Sequence, residues 1–185
     1  MNPRPLTIRP IPADEALERC GELAEVLIDC VEGGASVSFM APLAQDKAEG
    51  FWRGVAGMVG RGEGVLLVAE EPADGRILGT VLVVFAEPEN QPHRADIAKM
   101  LVHRRARRRG AGAALMHAAE DLARAAGKTV LVLDTANPDA ERLYERAGWT
   151  RVGTVPDYAL MPDGRLCDTT FFHKRLEPVA RANCS

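Results

Sequence analysis

The sequence predicts a single α/β domain in which helices pack on a mixed β-sheet. The predicted elements follow one another as strand, two helices, three strands, helix, strand, helix and two strands, an order typical of a sheet covered by helices. One of these strands, Lys128–Asp134, is almost continuously apolar, as expected when both faces of a sheet are covered. With 185 residues, 46% of them hydrophobic, the chain can bury one sizeable core.

The N-terminal half is predicted to contain a strand, two helices and a β-hairpin. Alternating apolar and polar residues predict the first strand, and leucines at helical spacing before Gly33 and Gly34 predict the first helix. A second helical pattern ends at Gly60. Two β-rich runs are joined by Pro72, Asp74 and Gly75, which is the chemistry of a turn. The predicted bounds are Leu6–Ile11, Ala13–Val31, Leu43–Val59, Val65–Glu70 and Ile77–Phe85.

The C-terminal half is predicted to alternate strands and helices. Its last helix has a strong start signal, because Asn137 can cap it and Pro138 suits its first position, and Gly148 ends it. The other predicted elements are the strands Ala95–Val102, Lys128–Asp134, Thr150–Tyr158 and Asp168–Lys174 and the helix Gly110–Ala126. We expect one domain over residues 1–177, followed by a tail of residues 178–185.

Composition disfavours several classes of function. A net charge of -3 and a pI near 5.8 argue against general affinity for nucleic acid. The four cysteines show no Cys-x-x-Cys spacing and the first residues lack signal-peptide character, so we expect a cytoplasmic location. No apolar run approaches the ~20 residues that span a bilayer, and no His or Cys spacing suits a metal. We therefore expect no nucleic-acid, membrane or metal partner.

A glycine-bearing turn between the fourth strand and the next helix predicts an anion site. In Arg107–Gly112, backbone N–H groups and the positive end of the helix dipole converge on one point. Five arginines between Arg104 and Arg109 add positive charge, and a pyrophosphate suits this geometry. A Rossmann dinucleotide site is an alternative, although Leu115 occupies the place of its third glycine. A solvated run of arginines or a nucleic-acid contact is the other alternative.

The wider pattern resembles the GNAT family of N-acetyltransferases. That family carries Arg/Gln-x-x-Gly-x-Gly/Ala in this turn, matched by Arg107–Gly112, and Asn, Tyr and Gly in its last helix, matched by Asn137, Tyr144 and Gly148. The resemblance covers most of the chain and implies a mostly antiparallel sheet of about seven strands, about four helices, and a fourth strand that splays from the fifth. Four segments look like the tabtoxin-resistance branch, namely Gly33–Met40, Arg94–Met116, Leu133–Thr135 and Thr150–Leu166.

By this resemblance the cosubstrate is acetyl-CoA, with no metal. The pantetheine arm would add to the edge of the fourth strand, where a backbone N–H near Val102 would face the thioester oxygen. The pyrophosphate would lie on backbone N–H groups of the turn. The implied cofactor-binding residues are Met100, Leu101, Val102, Arg107, Arg109, Gly110, Ala111, Gly112, Ala113, Ala114, Asn137 and Tyr144.

Three side chains are candidates for proton transfer. Tyr144 lies two turns after Asn137, at the margin of an apolar stripe, and its phenol could protonate the departing thiolate. The alternative is that the ring only packs against the sheet. Asp134 and Asp96 match the proposed base pair of the tabtoxin-resistance branch, which has Glu where this chain has Asp96. Either aspartate could instead orient the substrate ammonium, and Asp96 could pair with Lys99.

Two loops are predicted to line the acceptor. By resemblance they are Gly33–Met40 and Pro156–Asp168, with Ser36, Phe39, Met40 and Tyr158 as the substrate-binding residues. We expect a small-molecule primary amine that attacks the thioester directly, with an antibiotic or a toxin as one class of acceptor. A coenzyme A binding module without catalysis and a protein N-acetyltransferase are the alternatives. The protein is expected to be a monomer or a homodimer.

Overall fold

Seven strands form one open sheet in the computed structural model, which describes residues 5–177. They are β1 (Thr7–Ile11), β2 (Gly64–Glu70), β3 (Ile77–Phe85), β4 (Arg94–Val102), β5 (Val130–Thr135), β6 (Thr150–Leu160) and β7 (Leu166–Arg175). Their order is β1-β2-β3-β4-β5-β7-β6, and every neighbouring pair is antiparallel except the parallel pair β4 and β5. The predicted mixed, mostly antiparallel sheet is confirmed. The predicted tail, residues 178–185, lies outside the described residues.

Five α-helices accompany the sheet, where about four were expected. They are α1 (Ala13–Glu18), α2 (Cys20–Glu32), α3 (Gln45–Gly60), α4 (Ala111–Ala125) and α5 (Pro138–Arg146). The sequence predicted one continuous helix over Ala13–Val31. That prediction is wrong, because the backbone leaves helical geometry at Arg19 and divides the segment into α1 and α2. The Arg19 guanidinium is held by Glu70 of β2 and by the Gly75 carbonyl. Within residues 5–177, no helix has the length and apolar character needed to cross a bilayer.

The sheet separates two apolar cores. The first lies under α1, α2 and α3 and includes the buried side chains of Leu23, Leu27 and Trp52. The second lies under α4 and α5 and includes Leu115 and Phe172. Strand side chains alternate between the two cores, as the pleat of a sheet requires. A strand residue whose two neighbours in sequence lie in one core therefore points to the opposite face of the sheet.

The sheet opens between β4 and β5. Their parallel pairing covers three residue pairs only, from Arg94 opposite Val130 to Asp96 opposite Val132. Beyond that point β5 stays paired with β7, while β4 continues along β3. A β-bulge at Lys99, whose φ is 47°, bends β4, and the Thr80 hydroxyl donates a 2.9 Å hydrogen bond to the Lys99 carbonyl. The expected splay of the two strands is thus confirmed.

A buried carboxylate ties α4 to the other side of the cleft. Glu120, whose side chain is 5% exposed, accepts a 2.8 Å hydrogen bond from the Trp149 indole. Its second oxygen pairs with the Lys174 ammonium of β7 at 2.7 Å. The Lys174 ammonium also donates to the Ala147 carbonyl at 2.6 Å. Because all three polar groups are satisfied inside the second core, this contact fixes the position of α4 relative to β7.

We expect Glu120→Ala to destabilise the protein by about 3 kcal/mol, because it leaves a partly buried ammonium without its counter-charge. The matched control is Asp121→Ala, one residue further along α4, where an exposed carboxylate pairs with Arg124. That change should cost less than about 0.5 kcal/mol. Urea unfolding of both variants gives the two free energies of unfolding. Equal losses would contradict a structural role for the buried carboxylate.

Candidate functional site

The mouth between β4 and β5 gathers three charged side chains on one face of the sheet. Leu131 and Leu133 of β5 join the core under α4, so alternation puts Asp134 on the opposite face, toward α2 and α3. Ala95 and Ile97 of β4 do the same, which puts Asp96 on that face. The bulge in β4 brings Lys99 to the same face of the sheet, where its ammonium lies 5.4 Å from the ring centre of Phe51 in α3.

The two predicted carboxylates of this mouth have different surroundings. Averaged over the whole residue, Asp134 is exposed, but burial of its carboxyl group among protein atoms raises its pKa. The positive charge of Lys99 opposes this rise, and the negative charge of Asp96 adds to it. Asp96 forms an ion pair with Arg94 at 2.6 Å. The alternative in which Asp96 pairs with Lys99 is wrong. Asp134 is therefore a candidate proton acceptor.

Lys99 is the site residue that the sequence analysis missed as a functional group. Its ammonium donates a 3.1 Å hydrogen bond to the Ser38 hydroxyl in the loop between α2 and α3. Burial lowers the pKa of Lys99, and the charge of Asp134 acts in the opposite direction. A lysine inside the otherwise apolar run from Ile97 to Val102 was the signal that could have pointed to it.

The turn before α4 presents free backbone N–H groups. Arg108 and Gly110 have left-handed φ values of 61° and 79°, which turn the chain into the helix. The Ala114 amide donates a 3.0 Å bond to the Gly110 carbonyl, the first bond of α4, and the Arg109 amide donates to Ala106 at 3.4 Å. Of the predicted anion-binding amides, Arg109 to Ala114, the first and the last therefore donate to carbonyl groups of the protein itself. Among residues 5–177, no backbone acceptor is found for the amides of residues 110–113.

Two of the five arginines in this segment are held by acidic side chains. The guanidinium of Arg104 binds the buried Asp29 of α2, which also accepts a 2.9 Å hydrogen bond from the Arg104 amide. The guanidinium of Arg109 pairs with Glu71 at 2.7 Å. Arg107 instead approaches the Val102 carbonyl at 3.5 Å. Arg104 and Arg109 thus anchor the turn, so the positive charge that remains to attract an anion is smaller than the sequence suggested.

Asn137 and Tyr144 define the start and the buried face of α5. The Asn137 side chain accepts hydrogen bonds from the amides of residues 139 and 140, at 2.8 and 3.4 Å, so the predicted N-cap is confirmed. Tyr144 is 4% exposed and packs against Trp149 and Phe172. Its predicted place at the margin of the apolar stripe is wrong, because the ring lies inside the second core. Burial raises the pKa of Tyr144.

The predicted acceptor residues lie in two segments that touch each other. The Ser36 hydroxyl donates a 3.0 Å hydrogen bond to the Leu160 carbonyl, so it ties the loop after α2 to the end of β6. Phe39 packs edge-on against Phe51, with ring centres 5.4 Å apart. Met40 and Tyr158 are 41% and 53% exposed. The Ala41 amide donates to the Pro162 carbonyl at 3.1 Å, which closes the contact between the loop and the β6–β7 hairpin.

Comparison with known proteins identifies a family and a fold. Residues 35–149 match the acetyltransferase (GNAT) family. Three similar solved structures are an N-acetyltransferase from Staphylococcus aureus Mu50, a ribosomal-protein-alanine N-acetyltransferase from Brucella melitensis, and a GNAT superfamily phosphinothricin acetyltransferase from Sinorhizobium meliloti in complex with AcCoA. Their TM-scores are 0.76, 0.75 and 0.77, at 19%, 22% and 20% identity. The alignments cover 94%, 92% and 98% of this chain and 100%, 100% and 97% of the neighbours.

Asp29→Ala should loosen the turn before α4, because the Arg104 amide and guanidinium both lose their acceptor. We expect a loss of stability of about 2 kcal/mol and faster hydrogen exchange at the Arg104 amide. Glu32→Ala, one turn further along α2, is the control, since its exposed carboxylate has no ion pair among residues 5–177. Exchange measured by mass spectrometry over residues 103–110 tests this. An Asp29→Ala profile identical to that of the control would refute the anchoring role.

Proposed function

Because the chain belongs to the acetyltransferase (GNAT) family, we propose that it transfers an acetyl group from acetyl-CoA to the primary amine of a small molecule. The observation that carries the proposal is the opening of the sheet. Beyond Asp96, β4 has a free edge toward β5, and this edge leads directly into the turn with free amides at residues 110–113. A strand-like arm that ends in a pyrophosphate fits both features.

The residues of the turn fit a diphosphate by shape as well as by charge. Gly110 adopts a φ of 79°, a conformation that glycine adopts without strain. At Gly112, in the first turn of α4, a Cβ atom would lie 3.2 Å from the side chain of Leu143, so the lack of a side chain lets α5 pack closely against this turn. Arg107 lies beside the Val102 carbonyl, at the junction of the strand edge and the turn. We propose that Met100 to Val102 bind the pantetheine arm through their backbone and that the amides of residues 110–113 bind the diphosphate.

Acetyl transfer to an amine requires one proton acceptor and one proton donor. The amine nitrogen attacks the thioester carbon, so a C–N bond forms and the C–S bond breaks. We propose that Asp134 receives the proton of the amine, directly or through water, because its raised pKa makes it a better base than an ordinary aspartate. Asp96, on the same face, would supply negative charge that holds the incoming ammonium, although its ion pair with Arg94 weakens this attraction.

Tyr144 is the proposed donor to the departing thiolate. Burial raises the pKa of Tyr144, so its hydroxyl carries a proton at neutral pH. The same shift moves its acidity further from that of a thiol, whose reference pKa is about 8.5. The role therefore requires the developing negative charge on sulfur to drive the transfer. The packing of its ring against Trp149 and Phe172 supports the alternative in which Tyr144 only shapes the core.

The acceptor side favours a small molecule over a polypeptide. The loop after α2 is pinned to the β6–β7 hairpin by the bonds from Ser36 to Leu160 and from Ala41 to Pro162. The same loop reaches the charged face of the mouth through the hydrogen bond between Ser38 and Lys99, so it limits the room for an extended chain there. A protein acceptor is the second candidate, because one structural neighbour is named a ribosomal-protein-alanine N-acetyltransferase. Another is named a phosphinothricin acetyltransferase, which supports the proposed detoxification of an antibiotic or toxin, as in the tabtoxin-resistance branch.

Gly110→Ala should weaken binding of coenzyme A about tenfold. A left-handed conformation costs an alanine about 1 kcal/mol or more, so the turn will relax and its amides will no longer converge. Gly127→Ala introduces the same strain at the opposite end of α4, where the glycine φ is 75°. It should lower stability equally and leave the affinity unchanged. Calorimetric titration with coenzyme A distinguishes the two variants, and equal affinities would argue against the turn as the binding site.

Thiol release from acetyl-CoA in a panel of amines tests the chemistry. With an accepted amine, kcat/KM should fall as the pH drops through the raised pKa of Asp134, because protonation removes the base. Asp134→Asn should lower kcat by about 10²- to 10⁴-fold and abolish this acidic inflection. Tyr144→Phe, which keeps the ring, should lower kcat with little change in melting temperature. If no amine in a broad panel accelerates thiol release, the proposed activity is wrong; if Tyr144→Phe is fully active, the residue only packs.

A further inference from the structure

The ammonium of Lys99 lacks a close counter-ion. Among residues 5–177, no carboxylate oxygen lies within 4.0 Å of it. Its contacts are the Ser38 hydroxyl at 3.1 Å and the face of Phe51 at 5.4 Å. Both are weak partners for a full positive charge that is partly removed from water. The cation thus faces the mouth with unused capacity to bind an anion.

The backbone around this lysine is shaped to present it. Lys99 has a φ of 47° and Ser38 a φ of 76°, so two non-glycine residues adopt left-handed conformations where their side chains meet. The Thr80 hydroxyl holds the Lys99 carbonyl and so fixes the bulge. The bulge turns Lys99 toward α2 and α3, on the same face as Ala98, whereas a regular strand would point consecutive residues to opposite faces. This arrangement positions the ammonium beside the proposed base.

We propose that Lys99 binds the acid group of the acceptor, and that the acceptor is an amino acid or a close analogue of one. The inference rests on the proposed function. In this proposal Asp134 interacts with the amine of the acceptor and Lys99 binds its acid group. Because both side chains lie at the mouth on the same face of the sheet, a small acceptor that carries an amine and an acid can meet both of them.

The other charges of the mouth agree with this assignment. Asp96 is occupied by Arg94, so it does not compete for the Lys99 ammonium. The Asp168 carboxylate on the hairpin accepts a 3.0 Å hydrogen bond from the Asp157 amide, and Asp163 pairs with Arg165. Two of the three acids on that wall, Asp163 and Asp168, are therefore committed to the hairpin, and the third, Asp157, is exposed on β6. A polycationic acceptor such as a polyamine would meet Lys99 with a like charge, which disfavours it.

The decisive experiment compares three acceptors that share one side chain: an α-amino acid, its amide, and the amine without the carboxyl group. Thiol release from acetyl-CoA gives kcat/KM for each with the wild-type enzyme and Lys99→Met. The wild type should prefer the amino acid over the amide by about ten- to a hundredfold, mainly through KM. Lys99→Met should remove that preference, and because it also removes a charge that lowers the pKa of Asp134, the three acceptors are compared at a pH above that pKa.

Two further variants separate anion binding from a structural role. Lys99→Arg keeps the charge and should keep part of the preference for the amino acid. Ser38→Ala removes the hydroxyl contact of Lys99 but retains the ammonium, so the preference should persist. If Ser38→Ala and Lys99→Met lower the rates of all three acceptors alike, Lys99 only positions the loop and the inference is overturned. If the wild type acetylates the amide as well as the amino acid, the inference fails while the acetyltransferase proposal stands; if no acceptor releases thiol, both fail.

Discussion

The ending of hydrogen bonding between β4 and β5 is the constraint on which the rest of the site depends. After Asp96 and Val132 the two strands have different partners, and β4 follows a bulge that keeps it on β3. Buried backbone groups must find partners, so the free edge of β4 either binds water or binds a ligand that can act as a strand. The bond from the Thr80 hydroxyl to the Lys99 carbonyl stabilises the bulge and, through it, the opening.

The opening gives its two faces different chemistry. On the α4 side the proposed binding groups are backbone amides, whose geometry depends on the helix start and on Gly110 rather than on side-chain identity. On the side of α2 and α3 the proposed binding groups are side chains, chiefly Asp134 and Lys99. A cofactor held by the backbone and an acceptor chosen by side chains can vary independently, which agrees with the general finding that one fold supports many substrates. The family is shown by the match over residues 35–149, whereas the acceptor must be argued from the side chains of the second face.

Local signals in the sequence predicted most of the fold and the start of α5, which borders the candidate site. Strand alternation, glycine stops and the Asn137 cap act over a few residues, so the seven strands and the start of α5 could be predicted from the sequence. The break at Arg19 was not predicted, and the Glu70 carboxylate that binds the Arg19 side chain is distant in sequence. The same holds for Asp29 and Arg104, which lie 75 residues apart. The depth of Tyr144 depends on how α5 packs on β7, which helical periodicity alone does not reveal.

Asp134 and Lys99 share an energetic relation that links fold to function. Burial shifts the pKa of each toward its uncharged form, upward for Asp134 and downward for Lys99, while their mutual attraction opposes both shifts. The attraction has a smaller effect on each pKa than burial has, so the charged form of neither group is fully stabilised. An acceptor that carries both an ammonium and an acid would satisfy the two groups at once. The cleft therefore has the charge pattern of a site completed by a zwitterion.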